Sequence, residues 1–273
     1  MIVALLRAEF RKIVSTRLWW GLAIPVVVLS LLVNVFGGVF TEALGDLGEG
    51  RIPVLLGSLA YTLGQPALFA AVFGAVATAG EFRHRTVTTT YLTAPGRGAV
   101  LAAKMISSAG VGAVYAVLAA ASGLIGGLLG QGSVQFPEVG ALLTVLGIGV
   151  LVCGLWAAFG AALGTVLSNQ ATVLVLLLVY VLLGELLVSV LLTNSADAVA
   201  GLSAYLPVNA GEAALYDIPA GVLAGQAGRD ELVSFVAGVT GPAPWWGALL
   251  VLAAWTLAAA ATAWWAGARR DIT

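Results

Sequence analysis

Long apolar runs separated by short polar segments dominate this chain. Six runs reach or exceed the roughly 18 to 20 residues that a helix needs to cross a bilayer about 30 Å thick. We predict transmembrane helices over 18–40, 59–80, 100–129, 139–167, 171–192 and 245–266. The pattern therefore predicts an all-α polytopic membrane protein, with residues 1–273 forming one transmembrane domain.

Residues 1–17 follow a different pattern. Leu6, Phe10 and Ile13 recur at helical spacing, and Arg7 and Arg11 lie on another face. A basic amphipathic helix tends to lie in the membrane surface, so we expect an interfacial helix here. The alternative is a short cytoplasmic lead-in. No small-residue cleavage site follows, so we do not expect a signal peptide.

Composition and charge exclude a soluble protein and predict an orientation. The chain is 60% hydrophobic and 9% charged, whereas soluble domains are about half apolar and a quarter charged. With both termini in the cytoplasm, only Arg51 and Arg229 of the twelve bases fall outside, which satisfies the positive-inside rule. The segment 81–99 is then a cytoplasmic loop, and 193–244 is an extracellular segment containing short helices.

The loop 81–99 is unusually charged for this chain. Glu81 and Arg85 have the i,i+4 spacing of a helical ion pair, and Pro95-Gly96 ends that helix. Lys104, further on, is expected to extend to the lipid headgroups. Two interpretations remain open, because a rigid charged segment suits docking of a soluble partner, whereas a basic loop can merely set the topology.

The same loop carries a resemblance to a known family. Glu81, Arg85-Thr86, the run from Thr93 to Arg97 and then Lys104 resemble the loop after the second span of type-two ABC exporter permeases. The amphipathic first helix (an elbow helix in that family), the six spans and the long segment before the last span match as well. Arg85 stands where the family usually has glycine, which leaves the local turn geometry open.

The resemblance implies a dimer, homo- or heteromeric, that carries two cytoplasmic ABC ATPase subunits and sits among membrane lipids. ATP and Mg²⁺ would belong to those partners. The loop would be the coupling helix that enters a cleft of the ATPase. The implied interface residues are Glu81, Arg83, His84, Arg85, Thr86 and Arg97.

No chemistry of its own is expected from this chain. The phosphate-binding pattern G-x-x-x-x-G-K-[ST] is absent, because neither lysine follows a glycine. One histidine and the single Cys153 make neither a catalytic constellation nor a metal site. We therefore expect no enzyme activity, no metal, no cofactor on this chain and no nucleic-acid partner.

Polar residues inside the spans are candidates for a substrate pathway, because they are costly in lipid and usually functional. Glu185 is the only acid within a predicted span, and Asn34, Gln65 and Tyr180 complete the set. For Glu185, Asn34 and Gln65, a structural hydrogen bond to a neighbouring helix is the alternative, and it is favoured for Asn34 and Gln65.

Glycines recur four residues apart within the spans. The pairs are Gly123–Gly127, Gly126–Gly130 and Gly160–Gly164. Such pairs let helices approach closely in lipid. Packing within one chain is favoured over a dimer seam.

The predicted function is that of an exporter permease. It would work by alternating access and export a lipophilic or amphipathic drug, antibiotic, peptide or lipid. The Ala, Gly and Val bias suggests a high-GC bacterium, and we expect the chain in its cell membrane. The first alternative is a non-transporting scaffold or sensor that binds a cytoplasmic regulator through its basic loop. A lipid-modifying enzyme ranks last, because only one acid lies in a span.

Overall fold

The computed structural model describes residues 2–45, 54–84, 86, 91, 94, 96–130, 137–195 and 197–269. These residues form helices and no strand. In chain order the helices are α1 (Ile2–Ser15), α2 (Leu18–Gly45), α3 (Val54–Arg83), α4 (Arg97–Gly130), α5 (Val139–Leu167), α6 (Gln170–Thr193), α7 (Asp197–Ala200), α8 (Pro207–Ala237) and α9 (Trp245–Arg269). A 3₁₀ turn over Gly201–Tyr205 follows α7.

Six of these helices are long and apolar enough to cross a membrane, namely α2, α3, α4, α5, α6 and α9. The prediction of an all-α protein with six such helices is therefore confirmed. α3 begins before its predicted span, at Val54, and continues beyond it through Arg83. Near this second end the charge of Glu81 is paired with Lys104. Residues 2–15 form the expected first helix, and its place in the membrane surface stays a prediction.

The centre of the bundle is α3. It packs against α2, α4, α5, α6 and α8, and Leu56, Leu63 and Phe73 on it are almost fully buried. Within the most apolar 18 residues of each helix, 61% of the residues of α3 are buried, against 22% of those of α6 and of α9. The outer helices therefore present broad apolar faces, which in a membrane meet lipid or another subunit.

Glycines let the inner helices approach to backbone contact. A methyl group at Gly160 of α5 would lie 2.0 Å from the carbonyl oxygen of Ala71 in α3. On α4, a methyl group at Gly126 would lie 2.5 Å from the carbonyl oxygen of Leu31 in α2. The expectation that these glycine pairs pack within one chain is thus confirmed.

The helix α8 is bent sharply at Gly225, whose φ of 70° and ψ of 172° are outside the helical region. Asp217 and Arg229 form an ion pair across this bend. In a straight helix, residues twelve apart would be separated by about 18 Å, so the two halves of α8 fold back on each other. α8 lies in the segment predicted to be extracellular, and that location stays a prediction.

Candidate functional site

Four charged side chains join α1, α3 and α4 in a feature that we call the ion cluster: Glu9, Lys12, Glu81 and Lys104. Lys104 Nζ contacts Glu81 Oε1 and lies 3.2 Å from Glu9 Oε2. Lys12 Nζ lies 2.7 Å from Glu9 Oε1 and 3.3 Å from Glu81 Oε1. The side chains of Lys104 and Glu9 are each 6% exposed. The cluster therefore connects α1 to the C-terminal end of α3 and to the N-terminal part of α4.

The position of Lys104 corrects one expectation. Lys104 does not extend to the surface, because its ammonium group is held between the carboxylates of Glu9 and Glu81 inside the bundle. Glu81 has its carboxylate against Lys104 and Lys12, and its contact with a partner stays a prediction. Glu9 was missed by the sequence analysis. Its only signal was an acid three residues before a lysine in a basic helix.

The loop 81–99, which we call the docking segment, has its other predicted interface residues at the surface or close to it. Arg83, His84 and Thr86 are exposed, and Arg85 lies outside the described residues. Arg83 Nη1 donates to Gln170 Oε1 of α6 over 3.4 Å. Thr86 Oγ1 lies 3.4 Å from the carbonyl oxygen of Glu81.

The second end of the docking segment is also fastened. Arg97 begins α4, and its Nη1 donates to the carbonyl oxygen of Gly267 in α9 over 2.5 Å. Together with the Arg83 contact and the ion cluster, this bond connects the two ends of residues 84–96 to α1, α6 and α9. A force on that segment would therefore reach several helices at once.

A cavity of about 180 Å³ lies between α3, α5, α6 and α8. Its polar lining consists of Tyr61, Gln65, Trp156, Glu212 and Tyr216. Burial, and next the charge of Glu185, raises the pKa of Glu212 to about 7. Burial, followed by Glu212 and Tyr61, also raises the pKa of Tyr216. Of the four predicted pathway residues, Gln65 lines this cavity.

Glu185 lies beside the cavity and holds the start of α8. Its carboxylate oxygens accept hydrogen bonds from the backbone N–H groups of Asn209, at 2.7 Å, and Val208, at 3.0 Å. Leu206, which precedes α8, offers no side-chain cap, so Glu185 supplies the acceptors that the first turn lacks. This contact matches the structural alternative for Glu185.

Tyr180 begins a π-helical turn, Tyr180–Gly184, and its side chain hydrogen-bonds Glu185. The N–H of Glu185 bonds to the carbonyl oxygen of Tyr180. The extra residue of a π turn shifts the side chains that follow it around the helix. Tyr180 therefore supports the Glu185 carboxylate, and no residue pattern predicted this turn.

Asn34 does not line the cavity and joins α2 to α3. Its Nδ2 donates to the carbonyl oxygen of Ser30 at 2.9 Å and to Thr62 Oγ1 at 3.2 Å. Its Oδ1 accepts from Ser58 Oγ at 2.8 Å. With 1% of its surface exposed, Asn34 has the structural role that was its alternative. The predicted pathway set is thus not brought together in one cavity.

The main acid of the cavity was missed. Glu212 lies in the run NAGEAALY, within the segment predicted to contain short extracellular helices. A single acid among small apolar residues was the available signal. Trp156 was missed because a tryptophan inside an apolar span is ordinarily a packing residue.

Within the described ranges, no group of three or more His, Cys, Asp or Glu residues is placed to hold a metal ion. Comparison with protein-family models gives no match, and comparison with curated proteins gives no significant match. The functional interpretation therefore depends on the residues and on the motif in the docking segment.

Proposed function

We propose that this chain is the permease subunit of an ATP-driven exporter of the ABC class, in a bacterial cell membrane with both termini in the cytoplasm. Two permease subunits, identical or not, would form the dimer. A separate ATPase would bind ATP and Mg²⁺. The exported compound would be lipophilic or amphipathic.

The observation that carries the proposal is the contact between Glu81 and Lys104. These two residues bracket the motif that resembles the coupling loop of such permeases. Their ion pair closes the intervening segment at its base, and Glu9 and Lys12 tie that base to α1. Because both ends of the segment are fixed to the bundle, a role in mechanical coupling explains these contacts better than a role in setting the topology alone.

The central helix provides a route from the docking segment to the cavity. Glu81 lies near the end of α3, and Tyr61 and Gln65 line the cavity from an earlier part of the same helix. Twenty residues of α-helix span about 30 Å. Movement of the docking segment would thus displace one wall of the cavity, which is what alternating access requires.

The test is affinity purification of the full chain from its host membranes in mild detergent, followed by mass spectrometry. We expect a soluble protein with a Walker motif in near-stoichiometric amount. The double variant Arg83→Ala/His84→Ala should reduce the amount of this ATPase that copurifies with the chain at least fivefold. Arg7→Ala/Arg11→Ala removes two exposed bases from α1 and should leave the amount unchanged.

Recovery of a folded chain without any ATPase would contradict the proposal. It would favour the scaffold or sensor, in which the same exposed residues bind a regulator. Equal loss in both double variants would assign the effect to basic charge in general and not to the docking segment.

A further inference from the structure

The cavity between α3, α5, α6 and α8 has one carboxylate and several aromatic rings in its wall. Among the described residues that line it, none is a base. The neighbouring acid, Glu185, already accepts two backbone hydrogen bonds at the start of α8. Glu212 is therefore the acid available to a ligand.

Glu212 has no partner of its own in the described part of the chain, since no hydrogen bond or ion pair to it is formed there. Glu212 is half-buried in the cavity wall, and burial makes its ionised form costly unless an opposite charge or donors compensate it. The described part of the protein supplies neither an opposite charge nor a donor to this carboxylate, and a bound cation can supply the charge. A metal ion would need several further oxygen or nitrogen ligands, and the lining offers a single carboxylate.

The rings favour an organic cation. Tyr61, Trp156 and Tyr216 line the cavity, and a cation attracts an aromatic ring when it lies within about 6 Å of the ring centre. A volume of about 180 Å³ leaves little room for a cation to lie further away. Gly211 lies against the indole, because a methyl group there would be 3.3 Å from Trp156 Nε1.

The remaining lining is apolar, and one side of the cavity is open. Val152, Val181 and Leu215 contribute to the wall. Tyr61 and Leu182 at the margin are 48% and 57% exposed. The cavity is smaller than the roughly 300 Å³ at the low end of ligand pockets, so it can enclose a charged head and an adjoining ring. A longer apolar body would leave past Leu182 along α6.

We infer that this cavity binds an organic ammonium ion with an apolar body, with the ammonium group at Glu212 and the rings of Tyr61 and Tyr216 beside it. As a transport substrate, such a compound rests on the proposed function. The binding itself needs only this chain.

Two probes of the same shape, one charged and one uncharged, test the inference. Benzyltrimethylammonium and its carbon analogue 2,2-dimethylpropylbenzene differ in charge alone. Binding is measured by calorimetry on the full chain in lipid nanodiscs at pH 8. We expect the ammonium compound to bind at least tenfold more tightly than the carbon analogue.

Variants then assign the contacts. Glu212→Gln should weaken ammonium binding at least tenfold and leave the carbon analogue unaffected. Glu231→Gln alters an exposed acid on the same helix and should change neither affinity. Tyr61→Leu should weaken ammonium binding about threefold, as expected for an exposed cation–π contact, whereas Tyr61→Phe should not. The Tyr61 pair still tests the site if Glu212→Gln does not fold.

Equal affinities for the two probes, or an unchanged ammonium affinity in Glu212→Gln, would overturn the inference. Copurification distinguishes this failure from failure of the proposed function. An ATPase partner without ammonium binding would overturn the inference alone. Ammonium binding without an ATPase partner would support the inference and contradict the exporter.

Discussion

Replacing Lys104 with methionine should destabilise the protein strongly, because it leaves two acids of the ion cluster without their buried cation. The side chain of Glu9 is 6% exposed and that of Glu81 is 14% exposed. Removing one member of a buried ion pair typically costs about 3–5 kcal/mol. Lys12 still contacts both acids, so we expect about 3 kcal/mol, the lower end of that range.

The free energy of unfolding is measured in mixed micelles by titration with dodecyl sulfate, with the fluorescence of the eight tryptophans as the signal. The double variant Lys104→Met/Glu81→Gln removes both charges of the pair and should recover at least half of the loss, because Glu81 is then no longer a charged group without its buried cation. Arg17→Met, which removes an exposed base, should change stability by less than about 0.5 kcal/mol. If Lys104→Met behaves like Arg17→Met, or the double variant is no more stable than the single one, the assignment of the cluster is wrong.

Three further predictions concern α6, the close helix packing and the cavity. Glu185→Ala should lower the unfolding free energy by about 2 kcal/mol, because two N–H groups of α8 lose a charged acceptor, and Glu185→Gln should recover part of it in the same titration. Gly160→Ala should lower the unfolding free energy by about 1–3 kcal/mol through overpacking. Gly147→Ala on the same helix places a methyl group where nothing lies within 4 Å and should be neutral or stabilising. Equal effects of the two substitutions would contradict the close packing at Gly160. Because the pKa of Glu212 is raised to about 7, the carboxylate forms as the pH rises, so calorimetry should show ammonium affinity increasing about tenfold between about pH 6 and pH 8, and no such rise in Glu212→Gln. The ionisable groups facing Glu212 from α3, α6 and α8 are Tyr61, Glu185 and Tyr216.

The six spans could be predicted from the sequence because length and apolarity are local properties. A run such as VLVLLLVYVLLGELLVSVLL satisfies the spanning criterion whatever it packs against. The glycine pairs were predictable for a similar reason, since small residues four apart create a flat helix face.

Contacts between distant side chains could not be predicted in the same way. Lys104 meets Glu9 across 95 positions, and that meeting depends on how α1 packs against α4. The capping role of Glu185 depends on where α8 begins. In the sequence AGQAG, nothing distinguishes Gly225, where the helix bends, from the other glycine. These features follow from tertiary packing, which a single sequence does not display.

The proposed docking of an ATPase on residues 84–96 can be tested by site-specific crosslinking in intact cells. A photo-crosslinking amino acid, p-benzoylphenylalanine, replaces the exposed His84, and a control chain carries it in place of Tyr205, which is 57% exposed on the turn after α7. We expect an adduct between position 84 and a protein with a Walker motif, and none from position 205. A folded chain that gives no such adduct from position 84, or gives it equally from both positions, would contradict the account.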